Sequence, residues 1–271
     1  MRTARPAIVG AVVVAVLAAG LAIHATRAAP PSPRRHAAID HGADAALGLP
    51  APTAGGLPVK RTAPIGTGAG RSLWIAVRAD TPARAAPAAS ARRVGAVAAR
   101  TPEDTTDIVQ PLGRRRDGAG RLWVRVRLAA LPNGATGWVP RDALGGYGTV
   151  DTHLVVDRRA LTATLLRAGR RVLRVPVGIG TAAAPTPPGT FVVRNVLRRY
   201  RSAFYGPIAF GTSARSATLT DWPGGGFIGI HGTNRPDLVP GRVSHGCIRM
   251  RNGDILRLAR LMPAGTPLTI L

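Results

Sequence analysis

Apolar and polar residues alternate along several short segments of this chain. In the segment 122–128, Leu122, Val124, Val126 and Leu128 alternate with a tryptophan and two arginines. A period of two puts alternate side chains on opposite faces, so this segment is predicted to be a half-buried β-strand. An Asp-Gly pair at position 117 and a Pro-Asn-Gly run at position 132 bound it with turn signals.

Other apolar runs predict further strands and one helix. The predicted strands are residues 73–77, 153–157, 161–166, 172–177, 191–193, 227–230 and 268–271. Ile255, Leu256, Ala259 and Leu261 have helical spacing, and Asn252 before them is a good N-cap residue. Residues 84–106 fit no such pattern and are expected to form a long loop. With 33 glycines and 24 prolines, the chain is predicted to be mainly β, with a short helix.

The charge of the chain is strongly positive. The formal net charge is +24, and Lys60 is the only lysine, so arginine supplies almost all of it. Such an excess attracts polyanions, and the expected partners are anionic cell-wall polymers or a membrane surface. Aromatic residues are only 4% of the chain, and no segment mixes them with basic residues as nucleic-acid sites do. We therefore expect no nucleic-acid partner.

The first residues have the layout of an export signal. Arg2 and Arg5 precede an apolar, uncharged run at 7–23, and small residues follow it. Residues 1–29 are thus a signal peptide or, at the short end of the length range, an N-terminal membrane anchor. Residues 30–71 are rich in alanine, proline and arginine and predict a disordered tether. Either way, the rest of the chain is expected outside the cytoplasm, in the cell wall or periplasm.

The segment 72–148 resembles bacterial SH3-like domains. The resemblance lies in a W-x-x-V strand at Trp123, a turn, and the G-W-V run that contains Trp138. It implies a small β-barrel that binds wall peptides or orients a following domain. The alternative is a barrel that only packs against its neighbour.

Cys247 is the only cysteine among the 271 residues, so it cannot form an intramolecular disulfide. A thiol becomes a strong nucleophile as thiolate, and an imidazole can take its proton and pair with the sulfur. His245 lies two residues away, and a strand–loop–strand return would bring His231 beside it. Gly246 leaves room for a substrate carbonyl, and neighbouring backbone N–H groups could bind an oxyanion.

Residues 150–271 resemble the YkuD-type catalytic domain of L,D-transpeptidases, which implies a β-sandwich fold. The resemblance rests on the Ser-His-Gly-Cys-Ile-Arg run at 244–249 and the Ile-His-Gly-Thr run at 230–233. A Thr-Pro-Pro-Gly-Thr-Phe run at 186–191 and the Val-Asp…Leu hairpin at 156–161 agree with it. The implied activity is acyl transfer on peptidoglycan stem peptides through a thioester, which gives 3→3 crosslinks. No cofactor is implied, and we expect a monomer.

The same resemblance implies a role for each site residue. Cys247 would be the nucleophile and His231 the general acid and base, oriented by the carbonyl of Gly232. The N–H groups of Gly246 and Cys247 would form the oxyanion hole, and His245 would support the site. The residues implied for substrate binding are Arg249, Ser244, Thr233 and Asn252. The arginine-rich segment 198–220 would form part of a lid.

Three alternatives remain at this point. If water resolves the thioester instead of an amine, the protein is an L,D-carboxypeptidase. If the thiol is inert, it is a non-catalytic protein that binds the wall. If His231, His245 and Cys247 ligate zinc, the site is a metal centre, although no paired Cys-x-x-Cys or His-Glu-x-x-His motif supports it.

Overall fold

The computed structural model describes residues 62–64, 70–198, 203–219 and 225–271. The predicted leader, and the tether except for residues 62–64, 70 and 71, lie outside these ranges. The N-terminal part contains nine strands: β1 (Ala63–Pro64), β2 (Ser72–Val77), β3 (Thr81–Arg84), β4 (Arg93–Val97), β5 (Ile108–Val109), β6 (Pro111–Arg116), β7 (Leu122–Arg127), β8 (Thr136–Pro140) and β9 (Leu144–Val150).

These strands form two sheets around one apolar core. The six-stranded sheet has the order β1-β6-β7-β8-β3-β4, and the three-stranded sheet has the order β5-β2-β9. Val124, Val126 and Leu128 are buried in the core, as the period-two pattern predicts. Trp123 on the opposite face is also buried, because its indole N–H donates to Asp117 in the adjoining turn. The SH3-like identity of this part stays a prediction.

The long loop predicted for residues 84–106 is wrong in its middle. Strand β4 pairs antiparallel with β3, from Thr81 opposite Val97 to Arg84 opposite Arg93. The segment carries few large apolar residues, so its pattern hides the strand. Backbone pairing and Val97, which is buried, place it in the sheet.

The C-terminal part contains ten strands and a helix. They are β10 (Thr152–Asp157), β11 (Thr162–Arg167), β12 (Arg170–Pro176), β13 (Gly178–Gly180), β14 (Gly189–Leu197), β15 (Ala209–Arg215), β16 (Phe227–His231), β17 (Gly241–Ser244), β18 (Ile248–Arg249), β19 (Pro267–Ile270) and the helix α1 (Asn252–Leu261). In the described residues, α1 is the one α-helix, which confirms the mainly-β prediction.

One sheet joins all ten strands in the order β12-β11-β10-β19-β14-β15-β16-β18-β13-β17. Its pairing is antiparallel except for three parallel contacts, of which β16 with β18 matters most for the site. Phe191, Phe210, Ile230 and Met250 are among the fully buried residues of its core. That core is separate from the N-terminal one, yet both parts belong to one compact unit.

Helix α1 packs its apolar face onto this core. Ile255, Leu258 and Ala259 are buried. The predicted stripe is right for Ile255 and Ala259, but Leu256 is exposed and Leu258 takes its place in the core. The predicted N-cap is shifted by one residue. Arg251 occupies that position, and Asn252 is the first helical residue because its side chain oxygen accepts the N–H of Thr233 instead.

No helix in the described ranges has the length and apolarity needed to cross a membrane. The export prediction rests on residues outside those ranges and stays a prediction.

Candidate active site

Cys247 and His231 line the same cleft. His231 is the last residue of β16, and Cys247 directly precedes β18. These strands pair in parallel, with Ile230 opposite Ile248 and His231 opposite Arg249. The strand–loop–strand return predicted from the sequence is therefore present, and it carries both side chains to one edge of the cleft.

The sulfur of Cys247 is held from the adjacent strand. The backbone N–H of Gly229 donates to Sγ at 3.4 Å. Burial raises the pKa of the Cys247 thiol, and this outweighs the opposing effects of the Gly229 hydrogen bond and the Arg249 charge. The thiol is thus protonated at rest and needs a base.

The ring of His231 is oriented by a neighbouring carbonyl group. Its Nδ1 lies 2.6 Å from the carbonyl oxygen of Gly232. A carbonyl only accepts hydrogen bonds, so Nδ1 carries the proton and Nε2 of the neutral ring is free to take one. Burial lowers the pKa of His231 to about 4, although the Gly232 carbonyl raises it and the Arg249 charge adds to the lowering. The ring is therefore neutral at physiological pH.

These two shifts correct one expectation from the sequence. A thiolate paired with an imidazolium requires a low thiol pKa and a high imidazole pKa, and burial moves each group the other way. The resting pair is a neutral thiol and a neutral imidazole. If Cys247 is the nucleophile, its proton would have to leave as it attacks the substrate.

The pH dependence follows from these directions. Because the pKa of His231 is lowered to about 4, the base stays unprotonated until the pH falls toward 4, and kcat/KM should hold through pH 6. Because the thiol pKa is raised, the rate of alkylation of Cys247 by iodoacetamide should keep rising with pH above 8. Both rates are measurable on the whole chain, since it has no other cysteine. An alkylation plateau below pH 7 would reveal an ion pair and contradict this picture.

The loop before the cysteine is fixed by Ser244. Its hydroxyl donates to the carbonyl of Cys247 at 2.6 Å and accepts the N–H of Gly246 at 3.1 Å. Ser244 is buried and lines the cleft, and its hydroxyl is engaged within the loop, so its substrate contact stays a prediction. The predicted oxyanion hole also changes. The Gly246 N–H donates to Ser244, so of the two predicted donors only the Cys247 N–H is left for an oxyanion.

Gly246 is required for a reason the sequence did not reveal. Its φ is +113°, where residues with a side chain are strained. A Cβ there would also lie 2.8 Å from Cδ1 of Ile228. The glycine serves the turn and the packing of β16 beneath it.

Thr186 supports the site, although the sequence indicates it only as part of the Thr-Pro-Pro-Gly-Thr-Phe run. It is buried, and its hydroxyl donates to the carbonyl of Gly246 at 2.7 Å. The same oxygen accepts the N–H of Gly180 at 2.9 Å. Thr186 thus ties the nucleophile loop to β13.

Replacing Thr186 with valine should loosen that tie. Valine keeps the shape but leaves the Gly180 N–H and the Gly246 carbonyl without a partner, at a cost of about 1–3 kcal/mol in the free energy of unfolding. Thr186→Ser keeps the hydroxyl and is the matched control. Urea denaturation and the rate of Cys247 alkylation measure both effects. Equal stability and equal rates in the two variants would remove Thr186 from this account.

Arg249 brings a positive charge into the cleft. Its side chain is largely buried, and its guanidinium carbon lies 4.9 Å from the ring centre of Phe204. Within the described part of the chain, its Nε has no hydrogen-bond partner. Among the described residues that line the cleft, none is acidic. Arg249 can thus receive a carboxylate, as predicted for substrate binding.

Aromatic rings cover His231. The ring of Tyr205 lies edge-on at 4.7 Å between centroids, and that of Phe204 is stacked at 6.3 Å. Both belong to the short turn Ala203–Tyr205 within the predicted lid segment. Residues 199–202 and 220–224 lie outside the described ranges, so the rest of the lid stays a prediction.

Thr233 and Asn252 support the base instead of lining the cleft. The Thr233 N–H donates to Asn252 Oδ1 at 2.9 Å, and the Thr233 hydroxyl accepts the N–H of Arg235. Neither residue is among the described residues that line the cleft, and their substrate contacts stay a prediction. Gly232 lies between them, and a Cβ there would meet Asn252 and Pro207. Together they hold the carbonyl that orients His231.

His245 lines the cleft with an exposed side chain, and its supporting role stays a prediction. His153 is elsewhere, bonded through Nε2 to Thr269. Across the described ranges, no three histidine, cysteine, aspartate or glutamate side chains are grouped to hold a metal ion. The zinc alternative therefore gains no support from the geometry.

Known proteins were compared with this chain. The family model of the YkuD L,D-transpeptidase catalytic domain matches residues 151–270. A Bacillus subtilis protein named as L,D-transpeptidase YqjB is 48% identical over 128 residues, which are 44% of this chain and 71% of that protein. Another from B. subtilis, named as L,D-transpeptidase YkuD, is 37% identical over 122 residues, 45% of this chain and 67% of that protein.

Solved structures also match. One is Bd1075 of Bdellovibrio bacteriovorus, with a TM-score of 0.36 and 27% identity. The match covers 44% of this chain and 47% of the Bd1075 chain, so this chain spans about half the length of Bd1075.

Proposed function

Because the chain belongs to the YkuD family of L,D-transpeptidases, we propose that it is a cysteine acyltransferase that crosslinks peptidoglycan stem peptides. The observation that carries the proposal is the arrangement of one cleft. In it, a half-buried thiol and a neutral histidine whose Nδ1 is fixed by the Gly232 carbonyl lie with an arginine and no described acid.

The first half-reaction forms a thioester. His231 Nε2 takes the proton of Cys247 as the sulfur attacks the carbonyl that follows the L-centre of the third stem residue, a dibasic amino acid. The N–H of Cys247 faces the developing oxyanion. The amide bond to the terminal D-alanine then breaks, and the imidazolium returns the proton to the leaving amine.

The second half-reaction resolves the thioester. A side-chain amine of a neighbouring stem attacks the thioester carbonyl and gives up a proton to His231. The carbon–sulfur bond breaks, the thiolate recovers that proton, and a 3→3 crosslink remains. The aromatic cover over His231 supports transfer to an amine, since it keeps water from the acyl-enzyme.

The rest of the chain fits the same proposal. Residues 72–148 would act as an SH3-like domain that orients the catalytic part on wall peptides. The net charge of +24 would hold the protein near anionic wall polymers. A substrate in the wall requires an extracytoplasmic location, which agrees with the export signal predicted for residues 1–29.

The test is product analysis on the whole chain. The protein is incubated with a stem tetrapeptide, with and without a second stem that offers a free side-chain amine. The products are then identified by mass spectrometry. Release of D-alanine with a crosslinked dimer supports the proposal. A tripeptide as the sole product would make the protein an L,D-carboxypeptidase, and unchanged tetrapeptide would leave the wall-binding alternative.

A further inference from the structure

Asp107 of the N-terminal part enters the C-terminal part and binds Arg194. The two side chains form two parallel hydrogen bonds, from Nε to Oδ1 and from Nη2 to Oδ2, each 2.7 Å long. They are only 6% and 7% exposed. A buried ion pair of this kind differs from an exposed one, which contributes little to stability. Breaking the buried pair leaves a charge without a partner inside the protein, which is strongly destabilising.

Asp107 is itself fixed on the N-terminal side. Its N–H donates to Ala99 and its carbonyl accepts the N–H of Val77, both at 2.9 Å. Its Oδ1 also accepts the N–H of Ile108. The carboxylate therefore holds Arg194 from a rigid base.

Arg194 in turn lies against a wall of the cleft. Its guanidinium carbon is 4.4 Å from the ring centre of Phe227, and that of Arg215 is 4.3 Å from the same ring. Phe227 lines the cleft. A ring that is held by two cations has little freedom to swing, and each contact is favourable in its own right.

Two shifts in strand pairing set the direction of these two arginine side chains. The pairing of β14 with β15 shifts between Val193 and Asn195, so Arg194 is the extra residue. The pairing of β15 with β16 shifts between Gly211 and Arg215, which brings Arg215 opposite Phe227. Bulges of this kind re-aim side chains beside active sites.

The N-terminal part contacts both irregular strands at two further points. Asn133 bonds the backbone of Arg215 in both directions, at 2.7 and 2.9 Å. Asn195, next to Arg194, donates to Thr101, Glu103 and Thr105. We call Asp107, Arg194, Phe227, Arg215 and Asn133 the clamp.

Strand β16 shows why the clamp matters. Phe227 is its first residue, Ile228 packs under Gly246, Gly229 bonds the sulfur of Cys247, and His231 ends it. A displacement at Phe227 is thus transmitted along one short strand to both reacting groups. A shift of about 1 Å in such a site costs roughly 10²-fold in rate.

We infer that Asp107 is a positioning residue of the catalytic cleft, which acts through Arg194 on Phe227. The N-terminal part then has a role in shaping the cleft, in addition to any contact that it makes with the wall. This rests on the proposed function for its substrate. The geometry of the cleft can be read independently, through alkylation of Cys247.

The test compares Asp107→Asn with Asp142→Asn in the full chain. Asp142 is the matched control, because it also accepts two hydrogen bonds from an arginine, Arg121, but lies exposed and within the N-terminal part. The readouts are the thermal unfolding transition, kcat and KM for D-alanine release, and the alkylation rate of Cys247. We expect Asp107→Asn to lower kcat about 10- to 100-fold and to change the alkylation rate, with a single unfolding transition kept. Asp142→Asn should match the wild type.

A second pair of variants covers the other outcomes. If Asp107→Asn does not fold, Asp107→Leu with Arg194→Met removes both charges and keeps an apolar contact, a change that buried pairs often tolerate. This double variant should fold and still have a lowered kcat.

In a Phe227→Leu background, Asp107→Asn should lower kcat almost no further, because the two residues act in series. If a folded Asp107 variant has the kcat and the Cys247 alkylation rate of the wild type, the inference is overturned. If the wild type itself shows no turnover, but the variant still changes the Cys247 alkylation rate, only the proposed function is contradicted.

Discussion

Replacing Cys247 with alanine abolishes acyl transfer. We expect D-alanine release to fall by about 10⁴-fold or more, because the chain has no other thiol to replace the nucleophile. Ser244 cannot substitute, since its hydroxyl is bonded within the loop to Cys247 and Gly246. Release of D-alanine from a stem tetrapeptide measures the effect.

The fold of that variant should be nearly unchanged. The thiol makes one hydrogen bond, from Gly229, so its loss costs little in the free energy of unfolding, about 1 kcal/mol. A matched thermal unfolding curve establishes this. Retained turnover in a folded Cys247→Ala protein would remove the nucleophile assignment altogether.

Replacing His231 with glutamine gives the second large loss. Glutamine has similar bulk and can still donate to the Gly232 carbonyl, but its amide cannot take a proton at neutral pH. General-base catalysis contributes about 10²–10⁴-fold, and kcat should fall by that factor. Attack then requires a thiolate formed without help, so the residual rate should rise about tenfold per pH unit below the raised thiol pKa.

The pH profile separates this loss from simple misfolding. In the wild type, the acid limb reports the His231 pKa near 4, and it should vanish in the glutamine variant. His153→Gln is the control, because that ring bonds Thr269 away from the cleft. A His231→Gln enzyme with the wild-type profile, lowered uniformly, would place the base elsewhere.

The sequence predicted that Cys247 and His231 would meet in one cleft, but it did not predict the contacts that hold their loops in place. Cys247 and His231 could be chosen because their residue types limit what they can do, and the strand ending at His231 was visible as an apolar run. The supports depend on contacts that no local pattern encodes. Asn252 looks like a helix cap in sequence, yet its oxygen is used by Thr233, 19 residues away.

Hydrogen bonds across the loop explain other differences. The Gly246 N–H was expected to face an oxyanion, but the Ser244 hydroxyl two residues earlier claims it. Strand pairing shifts, which aim Arg194 and Arg215, leave no trace in hydrophobic periodicity. The ion pair of Asp107 with Arg194 joins residues 87 apart, so only the folded chain reveals it.

Burial decides the protonation of the site. From sequence, a nearby imidazole favours an ion pair with the thiol. In the fold, both groups leave water, and burial penalises the charged form of each. The Arg249 charge favours the thiolate and disfavours the imidazolium, so it does not restore the pair.

The mass of the intact protein after mixing with a stem tetrapeptide, quenched in acid, tests the central claim most directly. The account predicts a gain equal to the tetrapeptide without its terminal D-alanine, lost on treatment with hydroxylamine as a thioester is and absent from Cys247→Ala. His231→Gln should acquire the same mass far more slowly. A wild-type protein that turns over tetrapeptide without ever gaining this mass, or that carries it on another residue, would contradict the account.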